Sequence, residues 1–175
     1  MELVEGVATV EDLDGFVARL GAVGDEHGAT VQAFDARYVV DRAHLERAVE
    51  LADRAIARGE NVARDRAVEI LLYAAGTRQI DRALELGVAD GECPAVMLVD
   101  ARDGTDDPTA AERRAAAAVR EIEGAGRVEP AETLGECETD RVREYFEVTD
   151  AELTAVEGTL ADVVRERVAL LDVEK

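Results

Sequence analysis

Lysine and the large aromatic residues are nearly absent from this sequence. Lys175 is the only lysine, tryptophan does not occur, and aromatic residues make up 3% of the 175 residues. Asp and Glu number 40 against 20 for Lys and Arg, so the formal net charge is −20, and the acidic residues are spread over every segment. Such an even distribution is typical of proteins from a cytoplasm with very high salt, where screening removes the self-repulsion. The charge therefore neither identifies a partner nor excludes nucleic acid.

Other absences narrow the class of protein. No apolar run approaches the roughly 20 residues that span a bilayer, and no leader peptide is recognisable, so we predict a cytoplasmic protein. The two cysteines, Cys93 and Cys137, lie far apart and are expected to be reduced thiols. No glycine-rich phosphate-binding loop occurs, and His27 and His44 stand in no metal-ligand spacing. We expect no cofactor and no metal.

The hydrophobic pattern predicts a chain of mixed strands and helices without a repeat. Strands are expected at residues 3–10 and 95–100, with an edge strand at 128–134. Residues 29–40 are expected to form one strand, or two with a kink near Asp35. Helices are expected after the capping residues Asp12, Asp41, Asp107, Thr139, Thr149 and Thr159. This order is neither strict βαβ alternation nor a helical bundle. We predict an α/β (α+β) fold: one domain over residues 1–175, with a small mixed β-sheet flanked by several helices and a helical C-terminus.

The segment Glu69–Ile80, EILLYAAGTRQI, is the most informative part of the sequence. Its apolar first half predicts a helix that is buried on nearly all sides. Gly76 suits a left-handed helix end, and Thr77 suits the cap of a helix that begins at Arg78. Free backbone N–H groups beside Arg78 and Gln79 would form an anion-binding corner. From the residues alone, an ordinary helix corner is the simpler interpretation.

Catalytic chemistry is hard to find in this chain. His44 and Cys93 are the residue types of a base and a nucleophile, but a packing histidine and a buried thiol are the commoner roles. The carboxylates are too numerous for any acid–base pair to be singled out. The pattern favours a binding protein, and no catalytic residue is assigned.

One combination of residues resembles a known family. His44-Leu45 with Ala48 and Ala52 on one helix, then the Glu69–Ile80 segment, Ala83 and Gly87, resembles the smallest subunit of the archaeal KEOPS complex. Its animal counterpart is the PRPK-binding protein, TPRKB. The order of elements agrees over most of the chain, and the Glu69–Ile80 segment is the specific part. The composition is that of a version from a salt-loving archaeon.

The resemblance implies a function. The KEOPS complex makes the threonylcarbamoyl modification of the adenosine beside the anticodon in tRNAs that read codons beginning with A. Another subunit performs the transfer, whereas this family's subunit is non-catalytic and contacts the rest of the complex indirectly. It docks on the N-terminal lobe of the atypical kinase/ATPase subunit and holds tRNA through the single-stranded 3′ CCA end. The family's fold is a mixed α/β domain.

These implications assign residues to two partners. In concentrated salt, RNA binding must rely on stacking and directed hydrogen bonds, because counterion release contributes little. For the tRNA 3′ end we expect the polar residues around the helix break, namely Arg64, Arg66, Tyr73, Thr77, Arg78 and Gln79. For the kinase we expect apolar residues of the first and last helices, namely Phe16, Leu20, Leu160, Val164, Val168 and Leu171. Two alternatives remain open: a scaffold that regulates the kinase without binding RNA, and a small enzyme using Cys93 and His44.

Overall fold

Four strands and eight α-helices follow one another within residues 1–173. The computed structural model describes residues 1–173, and the bounds of its elements in that range are β1 Glu2–Val10, α1 Leu13–His27, β2 Ala29–Asp35, α2 Arg42–Arg58, α3 Arg66–Ala74, α4 Ile80–Ala83, β3 Gly91–Ala101, α5 Pro108–Arg120, β4 Gly126–Pro130, α6 Thr139–Tyr145, α7 Asp150–Ala155 and α8 Leu160–Val173. Short 3₁₀ turns at Ala36–Tyr38 and Leu84–Leu86 follow β2 and α4. Internal contacts divide the chain into a sheet unit, residues 1–36 and 87–133, and a helical unit, residues 37–86 and 134–173.

The sheet unit is built on one four-stranded sheet. Its strand order is β2-β3-β1-β4, and the three pairings within the described residues are antiparallel. Alternate side chains of β1 and β3, such as Val4 and Met97, point to the face on which α1 and α5 pack. Phe16 and Leu20 of α1 belong to this core and are almost completely buried. The alternation follows from the two-residue period of a strand with one face on a core.

The helical unit is organised around α3. Every residue of α3 from Glu69 to Ala74 is buried, as the apolar run predicts. Helix α3 packs against α2, and α8 packs against both of them. Val164, Val168 and Leu171 form the buried stripe of α8, while Leu160 at its start is half-buried.

The predicted fold class is confirmed: a small sheet, flanking helices and a helical C-terminus are all present. The sheet was expected to be mixed, but its three pairings within the described residues are antiparallel. Asp41, Asp65 and Asp107 accept the backbone N–H of the third residue of their helices, and Thr149 and Glu152 form the predicted capping box. Of the segment 29–40, only Ala29–Asp35 is a strand, and a 3₁₀ turn follows at the position near Asp35 where a kink was one of the expectations. A single domain over residues 1–175 stays a prediction.

Candidate functional site

The helix break after α3 is held by backbone and side-chain hydrogen bonds. Gly76 has φ 61°, the left-handed value that glycine adopts without a Cβ clash. Its N–H donates to the carbonyl of Tyr73, and the N–H of Thr77 donates to the carbonyl of Leu72. The next carbonyl, that of Ala74, lies 2.8 Å from Nε2 of the fully buried His44. One imidazole therefore satisfies a carbonyl that the end of the helix leaves without an intrahelical partner.

The helix after the break is shorter than expected. Helix α4 has four residues and starts at Ile80, with Gln79 as its N-cap, whereas the sequence predicts a start at Arg78. Thr77 does not cap it in the usual way, since its Oγ1 accepts the N–H of Gln79 at 3.2 Å in a local turn. Four residues build almost no helix dipole. The short helix therefore gives an anion at its N-terminus little dipole support, and the anion-binding corner stays a prediction.

Arg78 and Gln79 face different cavities. Arg78 lines a narrow crevice together with Val62, and its guanidinium donates to the carbonyl of Leu171 in α8 at 3.0 Å. Gln79 is exposed and lines a larger cavity. Thr77 lies on the wall of both. The structure thus separates two side chains that are adjacent in sequence.

The larger cavity, which we call the helix-break pocket, has a volume of about 250 Å³. It is lined by residues of the break, by two arginines and by two buried aromatic residues. Its lining residues are Ala75, Gly76, Thr77, Gln79, Arg82, Tyr145, Phe146, Glu147 and Arg167. A concave site with a few convergent polar groups is the usual form of a binding site.

Two arginines bring positive charge to this pocket. Arg82 of α4 donates to the carbonyl of Tyr145 at 2.7 Å, and its guanidinium carbon lies 5.2 Å from the centre of the Tyr145 ring. Arg167 of α8 pairs with Glu152 at 2.6 Å and also donates to the carbonyl of Phe146 at 3.4 Å. A guanidinium has five N–H groups, so both arginines keep donors for a ligand.

The carboxylate of Glu147 lies on the rim of the pocket. Glu147 follows α6 with φ 54°, and among the described residues it is the only non-glycine with positive φ. The N–H of Val148 donates to the carbonyl of Arg143, and that of Glu147 donates to the carbonyl of Glu144. These two bonds define a Schellman motif, in which the left-handed position is normally glycine.

A second cavity of about 550 Å³ shares a wall with the helix-break pocket. Arg82, Tyr145 and Glu147 line both. The remaining lining residues of the second cavity are Tyr38, Glu85, Glu138, Asp140, Arg141 and Glu144. Burial, as the largest influence, raises the pKa of Tyr145 to about 12, so its hydroxyl stays protonated and donates to the carbonyl of Arg82 at 2.8 Å.

Three further residues expected at the RNA site lie elsewhere. Arg66 is bound through two nitrogens to both carboxylate oxygens of Asp53 on α2, at 2.7 and 2.8 Å. Tyr73 is 2% exposed, which leaves its ring no face on which a base could stack. Arg64 is exposed, on a loop whose Val62 lines the Arg78 crevice. Of the residues expected at the RNA site, Tyr73 and Thr77 line the crevice together with Arg78.

A buried carboxylate fixes the loop that carries Arg64. Glu69 is 2% exposed, and its Oε2 accepts the backbone N–H groups of Val62 and Ala63 at 3.0 and 2.8 Å. These two hydrogen bonds to one oxygen satisfy a polar group that is buried in an apolar helix.

The side chains expected at the kinase contact are mostly interior. Phe16 and Leu20 belong to the core of the sheet unit, and Val164, Val168 and Leu171 belong to that of the helical unit, while Leu160 alone is half-buried. Burial on this scale is evidence against direct contact with a partner that docks on the folded units. The exposed large apolar side chains of the helical unit are instead Ile56, Val62, Ile80, Leu84, Leu170 and Val173.

The two residues of the enzyme alternative, His44 and Cys93, are each held by contacts within their own unit. His44 is completely buried and bonded to Ala74, and Cys93 is buried with its Sγ near the carbonyl of Pro94. Both cysteines are free thiols, as predicted. Within residues 1–173 no cluster of His, Cys, Asp and Glu could hold a metal ion, and no helix there has the length and apolarity to cross a bilayer.

Comparison with known families identifies the chain's relatives. The profile of the family described as kinase binding protein CGI-121 matches residues 17–172, which span both units. The chain belongs to the CGI-121 family. Membership in this family indicates a binding protein whose partner is a kinase. No curated protein sequence matches the chain.

The sequence could have revealed some of the pocket residues. Arg82 lies three positions after Gln79, one turn further along the same predicted helix, so helical spacing alone would have placed it beside Gln79. Arg167, Tyr145 and Phe146 come from helices far along the chain, and their convergence required the fold.

Proposed function

We propose that this CGI-121 family member is the non-catalytic subunit of the KEOPS tRNA-modification complex, which binds the atypical kinase and holds the tRNA 3′ CCA end. The observation that carries the RNA half of the proposal is the helix-break pocket. Amide, hydroxyl and guanidinium groups meet there, in a protein with a net charge of −20. Directed hydrogen bonds of this kind are one of the means by which single-stranded RNA is recognised.

The contacts of the pocket residues suit an unpaired nucleic-acid end. Gln79 is exposed, so its side-chain amide can form hydrogen bonds with the edge of a base. Thr77 lies on the wall of the pocket, where its hydroxyl can form a hydrogen bond with the RNA. Arg82 and Arg167 offer the N–H groups that their internal bonds leave over. Ile80, 44% exposed and next to Gln79, adds an apolar surface outside the pocket against which a base can pack. No broad basic face is needed, since a single-stranded end presents few phosphates.

The experiment measures the dissociation constant of tRNA in concentrated KCl. We expect the intact tRNA to bind and the same tRNA without its CCA end to bind much more weakly. Gln79→Ala and Arg82→Ala should each weaken binding of intact tRNA about tenfold, as expected for loss of a directed or charge-assisted hydrogen bond. Arg113→Ala, on an exposed position of α5, is the matched control and should change nothing.

The crevice residues are tested in the same assay. Arg78→Ala and Arg64→Ala weaken binding only if the RNA extends from the pocket to the crevice. If Arg78→Ala and Gln79→Ala both left the dissociation constant of tRNA unchanged, the assignment of Arg78 and Gln79 to the tRNA 3′ end would be overturned. Absence of binding to either tRNA would leave the scaffold alternative, a kinase regulator that does not bind RNA.

The kinase contact is assigned to exposed apolar side chains of the helical unit. Leu84 is 55% exposed and Leu170 is 39% exposed, and each would be buried by a docked partner. We expect Leu84→Glu or Leu170→Glu to abolish kinase binding in a pull-down with the purified kinase. Val17→Glu, an equally exposed site on α1 of the sheet unit, is the control and should bind normally.

A further inference from the structure

The backbone at Glu147 adopts a conformation that, elsewhere in residues 1–173, occurs at glycine. Helices α1, α2 and α3 are each followed by a left-handed residue, and these are Gly28, Gly59 and Gly76, with φ between 61° and 70°. Helix α6 is followed by the same geometry with a glutamate in that place. Residues held in unfavourable backbone regions cluster at functional sites. This geometry makes Glu147 a candidate functional residue.

The position of this carboxylate limits what its function can be. Its side chain is 78% exposed on the rim of the helix-break pocket, and its nearer oxygen lies 3.7 Å from a guanidinium nitrogen of Arg82. That separation is too long for a hydrogen bond. The lone pairs of both oxygens consequently remain available to a ligand.

An ionised carboxylate can only accept hydrogen bonds. A phosphate entering the pocket at this point would meet a like charge, whereas a hydroxyl group would find an acceptor. Two adjacent hydroxyls on one sugar ring match two oxygens on one carboxylate, which is how acidic residues hold the ribose in dinucleotide-binding folds. Arg82 and Arg167 line the same pocket and remain suited to the base of that residue or to the phosphate on its 5′ side.

The volume of the pocket agrees with a terminal group. At about 250 Å³ it lies below the roughly 300–1,000 Å³ of most ligand pockets, so it takes one nucleoside better than an internal stretch of chain. Only the last residue of an RNA carries a free 2′,3′-diol.

We propose that Glu147 is a specificity-determining residue that accepts hydrogen bonds from the 2′,3′-diol of the terminal ribose, so that the pocket selects RNA with an unmodified 3′ end. This inference rests on the proposed RNA-binding function and adds the chemistry by which the end is read. It makes the pocket sensitive to the last sugar of the RNA and not only to its sequence.

The test compares four forms of one tRNA in concentrated KCl with the full-length protein. The forms end in a free diol, a periodate-oxidised ribose, a 3′-phosphate and a 2′-deoxyribose. We expect the three altered ends to bind at least roughly tenfold more weakly than the free diol, as loss of charge-assisted hydrogen bonds predicts.

Variants then locate the effect. Glu147→Gln keeps the shape but not the charge, and Glu147→Gly removes the side chain with a backbone that tolerates the left-handed conformation. Both should bind the four forms nearly equally. Glu144→Gln is the matched control, since Glu144 lines only the neighbouring cavity, and it should keep the wild-type preference.

The outcomes separate this inference from the proposed function. If the wild-type protein binds all four ends equally well, the diol assignment is overturned while tRNA binding stands. If the preference persists in Glu147→Gln and Glu147→Gly, another residue reads the diol and the assignment is overturned as well. If no form binds, both the inference and the RNA-binding function fail.

Discussion

Arg82 and Tyr145 each hold the other's backbone carbonyl. The guanidinium of Arg82 donates to the carbonyl of Tyr145 at 2.7 Å, and the hydroxyl of Tyr145 donates to the carbonyl of Arg82 at 2.8 Å. The two residues are 63 positions apart in the chain. This reciprocal pair joins α4 to α6 and forms the wall between the two cavities of the helical unit. A ligand that draws Arg82 toward one cavity therefore also changes the wall of the other.

Removing one half of this pair should destabilise the protein. Tyr145→Phe deletes the hydroxyl and leaves the carbonyl of Arg82 without that donor, so we expect a loss of about 1 kcal/mol in the free energy of unfolding. The measurement is chemical denaturation of the purified variant. Tyr38→Phe is the comparison, because the Tyr38 hydroxyl accepts only a 3.5 Å bond from Arg141. Equal losses for the two variants would contradict the role of the pair.

His44 should make stability depend on pH. Burial lowers the pKa of His44 below its ordinary 6.5, against smaller opposing effects of the Ala74 carbonyl and of Asp41, while nearby Arg165 lowers it further. The unfolded chain therefore binds a proton more readily than the folded one. The stabilising contribution is complete above pH 6.5 and is lost as the pH falls below that value.

The urea midpoint, followed from about pH 7.5 to pH 5.5, measures this dependence around the ordinary histidine pKa. His44→Gln cannot titrate but can still donate to the carbonyl of Ala74, so its midpoint should vary less with pH than that of the wild type. His27→Gln, at the end of α1, should retain the wild-type dependence. If His44→Gln kept the wild-type pH dependence and His27→Gln lost it, the assignment of this dependence to His44 would be wrong.

Glu69 should control the order of the loop that carries Arg64. Glu69→Ala leaves the N–H groups of Val62 and Ala63 without their acceptor, and we expect it to reduce stability by about 2–3 kcal/mol. Glu69→Gln keeps one acceptor oxygen and should lose less. Hydrogen exchange of the Val62 and Ala63 amides is the direct measurement, and both should lose protection. Glu166→Ala, an exposed position on α8, should leave that protection intact.

Relief of the left-handed backbone at residue 147 should stabilise the fold. A non-glycine residue in this region costs roughly 1–2 kcal/mol, so Glu147→Gly should raise the free energy of unfolding by about 1 kcal/mol. Gly59→Ala makes the opposite change at the end of α2, where φ is 70° and open space surrounds the position, and it should destabilise. Thermal denaturation of both variants measures the difference. A neutral Glu147→Gly would show that the position is not strained.

Local patterns were sufficient to predict most elements and insufficient to build the site. Capping residues such as Asp41 and Asp107 act within three positions of the chain, so their roles were visible in the sequence. Arg66 was expected at the RNA site because it lies near the break in sequence, but Asp53 on α2 binds it. Apolar stripes such as Phe16–Leu20 show only that a face is buried, and in this structure the faces pack within their own unit. The partner of a side chain is a property of the whole fold.

Helix α8 affects the design of deletion experiments on this protein. The carbonyl of Leu171 in this helix accepts a hydrogen bond from Arg78, and Arg167 of the same helix lines the helix-break pocket. A gene that stops before residue 160 would therefore encode a protein lacking part of the proposed RNA site as well as Leu170 of the proposed kinase contact. A truncation phenotype in cells would confound the two partners, whereas a set of single-codon changes at Arg167 and Leu170 would assign each defect to one partner.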